Sequence, residues 1–235
     1  MKPAPLPPNE AERLKALAQY KILDTLPEEV YDDITRIASE ITGTPIALLN
    51  LVDENRQWTK SKQGIDLTEI PRDQAFCAHS ILNPDEIMVV EDARYDERFH
   101  DNPLTTGDPH IVFYAGVPIV DAGGHALGSL CVIDNRPRSL PENKLLGLKA
   151  LAKLVNAHFE LRKTKLELDQ TRSGVNQVPP VTTSAAPVVA SSLISQIETN
   201  LRSLLDNNPE PEQLSQLTKL QQTVTTLKSV LNSSR

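Results

Sequence analysis

The chain has 235 residues and a formal net charge of −7 at pH 7, room for one domain of ordinary size and about 60 residues more. With 4% aromatic residues and no basic stripe, it lacks the stacking surface and the positive face that nucleic acid requires. No apolar run reaches the roughly 18 residues of a membrane-spanning helix, and MKPAPLPPNE at the N-terminus has no apolar segment of a secretory signal, so a cytoplasmic protein without nucleic-acid or membrane partners is expected. Two cysteines, Cys77 and Cys131, are too few for a disulfide framework.

Asn9 to Tyr20 reads as a first helix, with Asn9 as N-cap and Glu12 three residues on, as in a capping box. Val30, Ile34, Ile37, Ala38 and Ile41 recur at helical spacing and predict a second helix over Pro27–Thr42, with Gly43 placed for a left-handed cap. Ile46–Val52 is a short apolar run, a buried strand, and DENR turns it into a second strand over Gln57–Lys62. Gly64–Gln74 reads as loop, Phe76–Leu82 as a short helix, Ile87–Val90 as a strand and Glu91–His110 as a long polar loop. Val112–Val120, the turn DAGG and Ala126–Asp134 form a strong hairpin signal. A long helix follows Pro141 and reaches about Arg172. Hairpins dominate, so an α+β fold is predicted, with a mostly antiparallel sheet packed by helices.

The composition changes near residue 173. Eight of the nine glycines lie between Gly43 and Gly147, and all nine aromatics between Tyr20 and Phe159. Residues 173–190 carry no charge and read as a Pro/Ser/Thr linker. Residues 191–235 read as a helical hairpin broken at Pro209 and Pro211. They contain no histidine, hence no phosphoacceptor. Leu145, Leu148, Ala152, Val155, Phe159, Arg162 and Leu166 alternate by three and four, a heptad seam interrupted by one charge. This seam and a second over Leu193–Leu231 predict a homodimer, with a helical oligomerisation or docking module at the C-terminus and room for a signalling protein partner.

ERLKALAQYKILDTLPEEVYDDIT (Glu12–Thr35), PIALLNLVDENRQWTKSKQGI (Pro45–Ile65), IPRDQAFCAHSIL (Ile70–Leu82), VVEDARYDERFHDNPLTTGDPHIVFYAGVPI (Val89–Ile119) and GHALGSLCVIDNRPRSL (Gly124–Leu140) carry a resemblance, in order and spacing, to the GAF domains at the N-termini of bacterial sensor kinases and cyclases. The resemblance stops near residue 172, so residues 1–172 are taken as the domain. It implies a six-stranded antiparallel sheet, helices on one face and a pocket on the other. It also implies a sensory or regulatory, non-catalytic role, in which small-ligand or partner binding is relayed through dimeric helices. Scaffolding with an unused pocket is the alternative. Members that reduce free methionine sulfoxide make a thiol enzyme a third reading, against which Cys77 finds no matching set of further cysteines. No kinase, cyclase or phosphoacceptor element is recognisable, so no enzyme is expected.

By the same resemblance the ligand-binding candidates are Trp58, Arg72, Phe76, Cys77, His79, Asn102, Phe113 and Tyr114. The family often has a basic residue before FYAG, where this chain has Val112, which weakens an anion site around Arg72. Cys77 and His79 are two apart and so point about 200° apart on a helix, and the adjacent Cys–His pair of bilin-binding members is absent. Alternation puts Leu127, Ser129, Cys131 and Ile133 on one strand face. Asp92, Asp96, Asp101, Asp108, His100 and His110 match no metal-ligand spacing and read as loop charges. No cofactor follows from these residues.

Overall fold

A computed structural model divides the chain into two units, Met1–Thr171 and Arg172–Arg235; it describes residues 1–175 together with 218, 221, 222 and 225. The hairpin expected over 191–235 and its Leu193–Leu231 face lie, apart from those four positions, outside the described residues, as does the linker beyond residue 175.

The first unit runs α1 (Glu10–Gln19), α2 (Glu29–Thr42), β1 (Ile46–Val52), β2 (Arg56–Gln63), β3 (Glu69–Pro71), α3 (Phe76–Ser80), β4 (Met88–Val90), α4 (Pro103–Thr106), β5 (Phe113–Val120), β6 (Ala126–Asp134) and α5 (Glu142–Val175). The strands form one antiparallel sheet in the order β3-β2-β1-β6-β5-β4. It is the α+β fold expected, with helices flanking six antiparallel strands. Two short elements differ from the sequence reading. The segment taken as loop over Gly64–Gln74 contains β3, three residues that pair with Arg56–Trp58. The polar loop Glu91–His110 contains α4, capped by the Asn102 side chain, which accepts from the Leu104 N–H at 2.9 Å. Both are too short to show a period.

Both faces of the sheet are buried, and period-two alternation sorts the residues between them. On one face Ala47, Leu49 and Leu51 of β1, Phe113, Ala115, Val117 and Ile119 of β5, and Leu130 and Val132 of β6 pack under the helices. α2 contributes Tyr31, Ile34 and Ala38, and Gly43 ends it in the left-handed region at φ 68°. Ile37, expected in the buried stripe, is 45% exposed; Tyr31 reaches further into the core and meets the Phe159 ring edge-on at 5.7 Å. α5 covers this face with Leu148, Ala152, Val155 and Phe159, each at most 2% exposed. The heptad seam read for dimerisation is therefore the stripe by which α5 packs on its own sheet. Its charged interruption is an anchor: Arg162 donates to the Tyr20 and Lys21 carbonyls, each at 2.9 Å, and to the Glu28 carboxylate at 3.0 Å.

Two irregularities set what each face displays. At Leu49/Asn50 the β1–β2 register shifts, with Asn50 opposite Thr59 but Leu49 opposite Ser61. The extra residue, Lys60, sends its ammonium under α2 to the Glu28 carboxylate at 2.7 Å. At Ile119/Val120 the β5–β6 register shifts by one, which sends Leu127 to the helix-side core while Ser129, Cys131 and Ile133 keep the opposite face. Alternation alone had grouped all four. Among the described residues no helix is long and apolar enough to cross a membrane.

Candidate functional site

The face away from α5 is closed by α3, by α4 with its loop, and by the chain from Gly64 to Ile70. Between these walls and the sheet lies a narrow cavity of about 20 Å³, room for about one water-sized molecule. Ile46, Leu48, Ile65, Leu67, Ile70, Leu104, Ile111 and Ile133 make its wall mostly apolar. Asn50, Gln57, Cys77 and Tyr114 supply its polar atoms, and Phe76 forms one side, stacked on Phe99 at 3.9 Å.

The polar atoms form a connected buried cluster. Thr59 donates to Asn50 Oδ1 at 2.9 Å. Asn50 Nδ2 then donates to both sulfurs, at 3.4 Å to Cys77 and 3.5 Å to Cys131. Ser129 Oγ donates to Cys77 Sγ at 3.0 Å, and the Tyr114 hydroxyl lies 3.3 Å from that sulfur and 3.1 Å from Ser129 Oγ. Gly116 makes room for this arrangement: a Cβ there would stand 2.3 Å from the Tyr114 hydroxyl oxygen. Burial disfavours a Cys77 thiolate, yet the hydrogen bonds from Cys131, Ser129, Tyr114 and Asn50 outweigh it and bring the thiol down to about 7. Cys131 and the Tyr114 phenol are pushed the other way, first by burial and then by the charge that Cys77 takes on.

The structure brings together three of the candidate residues, Phe76, Cys77 and Tyr114, and disperses the other five. Trp58 and Phe113 belong to the helix-side core. Arg72 Nη1 faces Glu10, a carboxylate shared with Arg13, at 2.5 Å and donates to the Asp53 carbonyl at 3.0 Å, and Arg72 does not line the cavity. Asn102 donates to the Gln74 carbonyl at 3.0 Å, so its two bonds fix the loop that roofs the cavity. His79 bonds the Lys2 carbonyl at 3.1 Å and meets the Phe99 ring edge-on at 4.9 Å. Its partly buried site lowers its pKa. Asp92 and Asp96 bind Arg94 and Arg98, each at 2.7 Å. Among the described residues no group of three His, Cys, Asp or Glu side chains is gathered as for a metal ion.

Asn50, Gln57 and Ser129 were not singled out in sequence. Their signal is a polar residue inside a buried strand: Asn50 interrupts IALLNLV, and a side-chain amide at that depth must find partners.

A model of the family described as the GAF domain matches residues 26–159. A cyclic di-GMP phosphodiesterase of Pseudomonas aeruginosa is 38% identical over 175 residues, 74% of this chain; the chain spans 30% of that relative's length. The expectation that the chain is not an enzyme is corrected by this relative, which is named as one and contains the matched sequence. Among solved structures, the GAF domain of an Acinetobacter phosphoenolpyruvate-protein phosphotransferase is 15% identical, with TM-score 0.43 over 68% of this chain and 96% of that one. The GAF domain of Thermosynechococcus elongatus PixJ is 14% identical, with TM-score 0.47 over 72% and 98%.

Proposed function

The chain belongs to the GAF domain family, and from that premise we propose that it is a sensory, regulatory module acting on cyclic di-GMP phosphodiesterase signalling. The walls of its narrow cavity part to admit a small, largely uncharged ligand, and occupancy is relayed to α5. The cavity itself carries this reading. Apolar side chains dominate its wall, four residues supply polar atoms, and Arg72, the one basic candidate nearby, is paired elsewhere. Such a lining recognises a compact apolar molecule and orients it with a few hydrogen bonds. The relative that is a cyclic di-GMP phosphodiesterase supports the choice of output.

A relay is supported by the β1–β2 irregularity. Asn50, on the cavity wall, accepts from Thr59. The next residue, Lys60, pairs with Glu28, and Glu28 also binds Arg162 of α5. A ligand that shifts the Asn50 amide thus acts one residue from an ion pair that grips α5. The two states need differ only in how β2 is seated at this bulge.

Dimerisation also belongs to this reading, through a different face of α5 from the one first expected. Ala150, Leu154, Ala157, Leu161 and Leu168 are exposed and fall at spacings of four, three, four and seven, a heptad stripe opposite the buried one. Leu154, Leu161 and Leu168 are 45%, 65% and 59% exposed. A second copy of this chain is the occupant that matches such a stripe.

The cavity is tested with the uncharged fluorophore N-phenyl-1-naphthylamine. It is expected to bind the wild-type chain saturably and about tenfold more weakly after Ile111→Trp, which fills the space, a loss of about 1.4 kcal/mol. Equal binding to both proteins overturns the cavity as the ligand site. For the dimer, Leu161→Glu should convert a sedimenting dimer to monomer, and a wild-type chain already monomeric removes that part of the reading.

A further inference from the structure

Two cysteines stand in the described domain; the ligand reading uses Cys77 only as a polar point of the cavity wall and gives Cys131 no work. Both are fully buried. Cys77 forms part of the cavity wall, whereas Cys131 stands behind it on β6. Three groups converge on the Cys77 sulfur: the Ser129 hydroxyl at 3.0 Å, the Tyr114 hydroxyl at 3.3 Å and the Asn50 amide at 3.4 Å, and the same amide reaches the Cys131 sulfur at 3.5 Å. A buried structural cysteine needs no such set, since a thiol is a small apolar group with weak hydrogen-bonding demands. Converging donors stabilise a sulfur that carries negative charge. Cys131 also accepts from the Asn50 amide, at 3.5 Å, but burial and the neighbouring sulfur outweigh its partners and hold it as a thiol. One sulfur is thus set up to attack and lines the cavity, and the other is a protonated neighbour that shares the Asn50 amide with it.

We propose that Cys77 and Cys131 are a peroxide-reactive pair, in which a small uncharged peroxide entering the cavity oxidises Cys77 and Cys131 closes a disulfide onto it. In the first step the Cys77 sulfur attacks one peroxide oxygen. A sulfur–oxygen bond forms, the oxygen–oxygen bond breaks, and the departing oxygen leaves as water with the thiol proton, giving a sulfenic acid. In the second step the Cys131 sulfur attacks Cys77; a sulfur–sulfur bond forms, the sulfur–oxygen bond breaks, and the hydroxyl leaves as water with the Cys131 proton. Two thiols are oxidised by two electrons in total, and the peroxide is reduced to two waters. The apolar wall suits an uncharged oxidant and resists entry of charged thiols such as glutathione. Because Asn50 bridges both sulfurs at 3.4 and 3.5 Å, closing the disulfide withdraws its two acceptors at once.

The test uses the full chain, hydrogen peroxide, and alkylation in denaturant followed by peptide mass mapping. A Cys77–Cys131 disulfide within one chain is expected. Cys131→Ser should stop at a sulfenic acid on Cys77 that dimedone captures, and Cys77→Ser should leave Cys131 reduced. Full alkylation of both thiols after peroxide overturns the proposal, as does dimedone captured by Cys131 in place of Cys77. Should the serine variants fail to fold, Ser129→Ala keeps both sulfurs and removes the nearest donor. It should slow Cys77 oxidation at neutral pH about fivefold, the loss of thiolate that a rise of about one pKa unit from about 7 brings. An unchanged rate overturns the assignment of Cys77 as the attacking sulfur.

Discussion

The two faces of the one sheet are built from alternate residues of the same strands and do different jobs. Under α2 and α5 the core is dense and aromatic: Phe159 lies against Tyr20 at 5.5 Å and Tyr31 at 5.7 Å, and Leu148 and Val155 are fully buried. Under α3 and α4 burial is equally complete at Leu48, Cys77 and Cys131, yet space is left open and polar atoms are gathered around it. A strand that alternates apolar residues on both faces can commit one face to stability and the other to a site. The second face then tolerates loose packing because the first holds the sheet.

The comparison breaks if the two faces respond alike to truncation. Phe159→Ala removes a ring that sits between two tyrosines and should cost about 3–5 kcal/mol. Ile111→Ala, beside space that already exists, should cost about 2 kcal/mol or less, since little new cavity is created there. Guanidinium unfolding of both variants measures the difference; equal losses would mean that the cavity wall is as tightly packed as the helix side.

How far each face was legible in sequence follows from the same alternation. The strands β1, β5 and β6 are long enough to show it, and the cap at Gly43 has one conformational meaning, so the framework could be read. β3 and α4 span three and four residues, too short for a period to repeat, and carry no pattern in the sequence. The cavity was harder. Cys77, Phe76 and Tyr114 could be pointed to by resemblance, but the same resemblance offered Trp58 and Phe113, whose side depends on strand register. The bulges that move Lys60 and Leu127 leave no mark in composition. Arg72 and Asn102 are polar residues near the site whose partners, Glu10 and the Gln74 carbonyl, are 62 and 28 positions away. The α5 seam misled for a definite reason: a three-four repeat describes a helix packed on its own sheet as well as one packed on a second helix.

Within the cavity face, Gly116 sharpens the contrast. Gly116→Ala puts a methyl group 2.3 Å from the Tyr114 hydroxyl oxygen, an overlap that should cost about 1–3 kcal/mol. Tyr114→Phe removes that oxygen. The ring carbons Cζ and Cε1 still stand 2.7 and 2.8 Å from the new methyl, so Tyr114→Phe combined with Gly116→Ala should recover only part of the loss, and a double-mutant cycle should show coupling of about 0.5 kcal/mol. Strict additivity would mean that the alanine is accommodated by the backbone and that the hydroxyl is not what the glycine accommodates.

The smallest effect is expected where the faces are joined. Glu10 opens α1 on the helix side. Its carboxylate binds Arg13 at 2.8 Å and Arg72 at 2.5 Å, and Arg72 leads into α3 and the cavity. Burial raises the Glu10 pKa, but the bonds and charges of the two arginines outweigh it and hold the carboxyl at about 2. The folded chain therefore binds this proton more weakly than the unfolded chain does. The stabilisation is fully present above the ordinary carboxylate range and is lost as pH falls through that range toward about 2. Glu10→Gln lacks this proton site, so the wild type should be the more stable at about pH 6, with its advantage shrinking steadily toward about pH 3. Other carboxylates titrate in both proteins and cancel in the difference. Urea midpoints across that range would decide the matter: parallel curves would mean that Glu10 does not tie α1 to the cavity rim by charge, and the two faces would then be joined by packing alone.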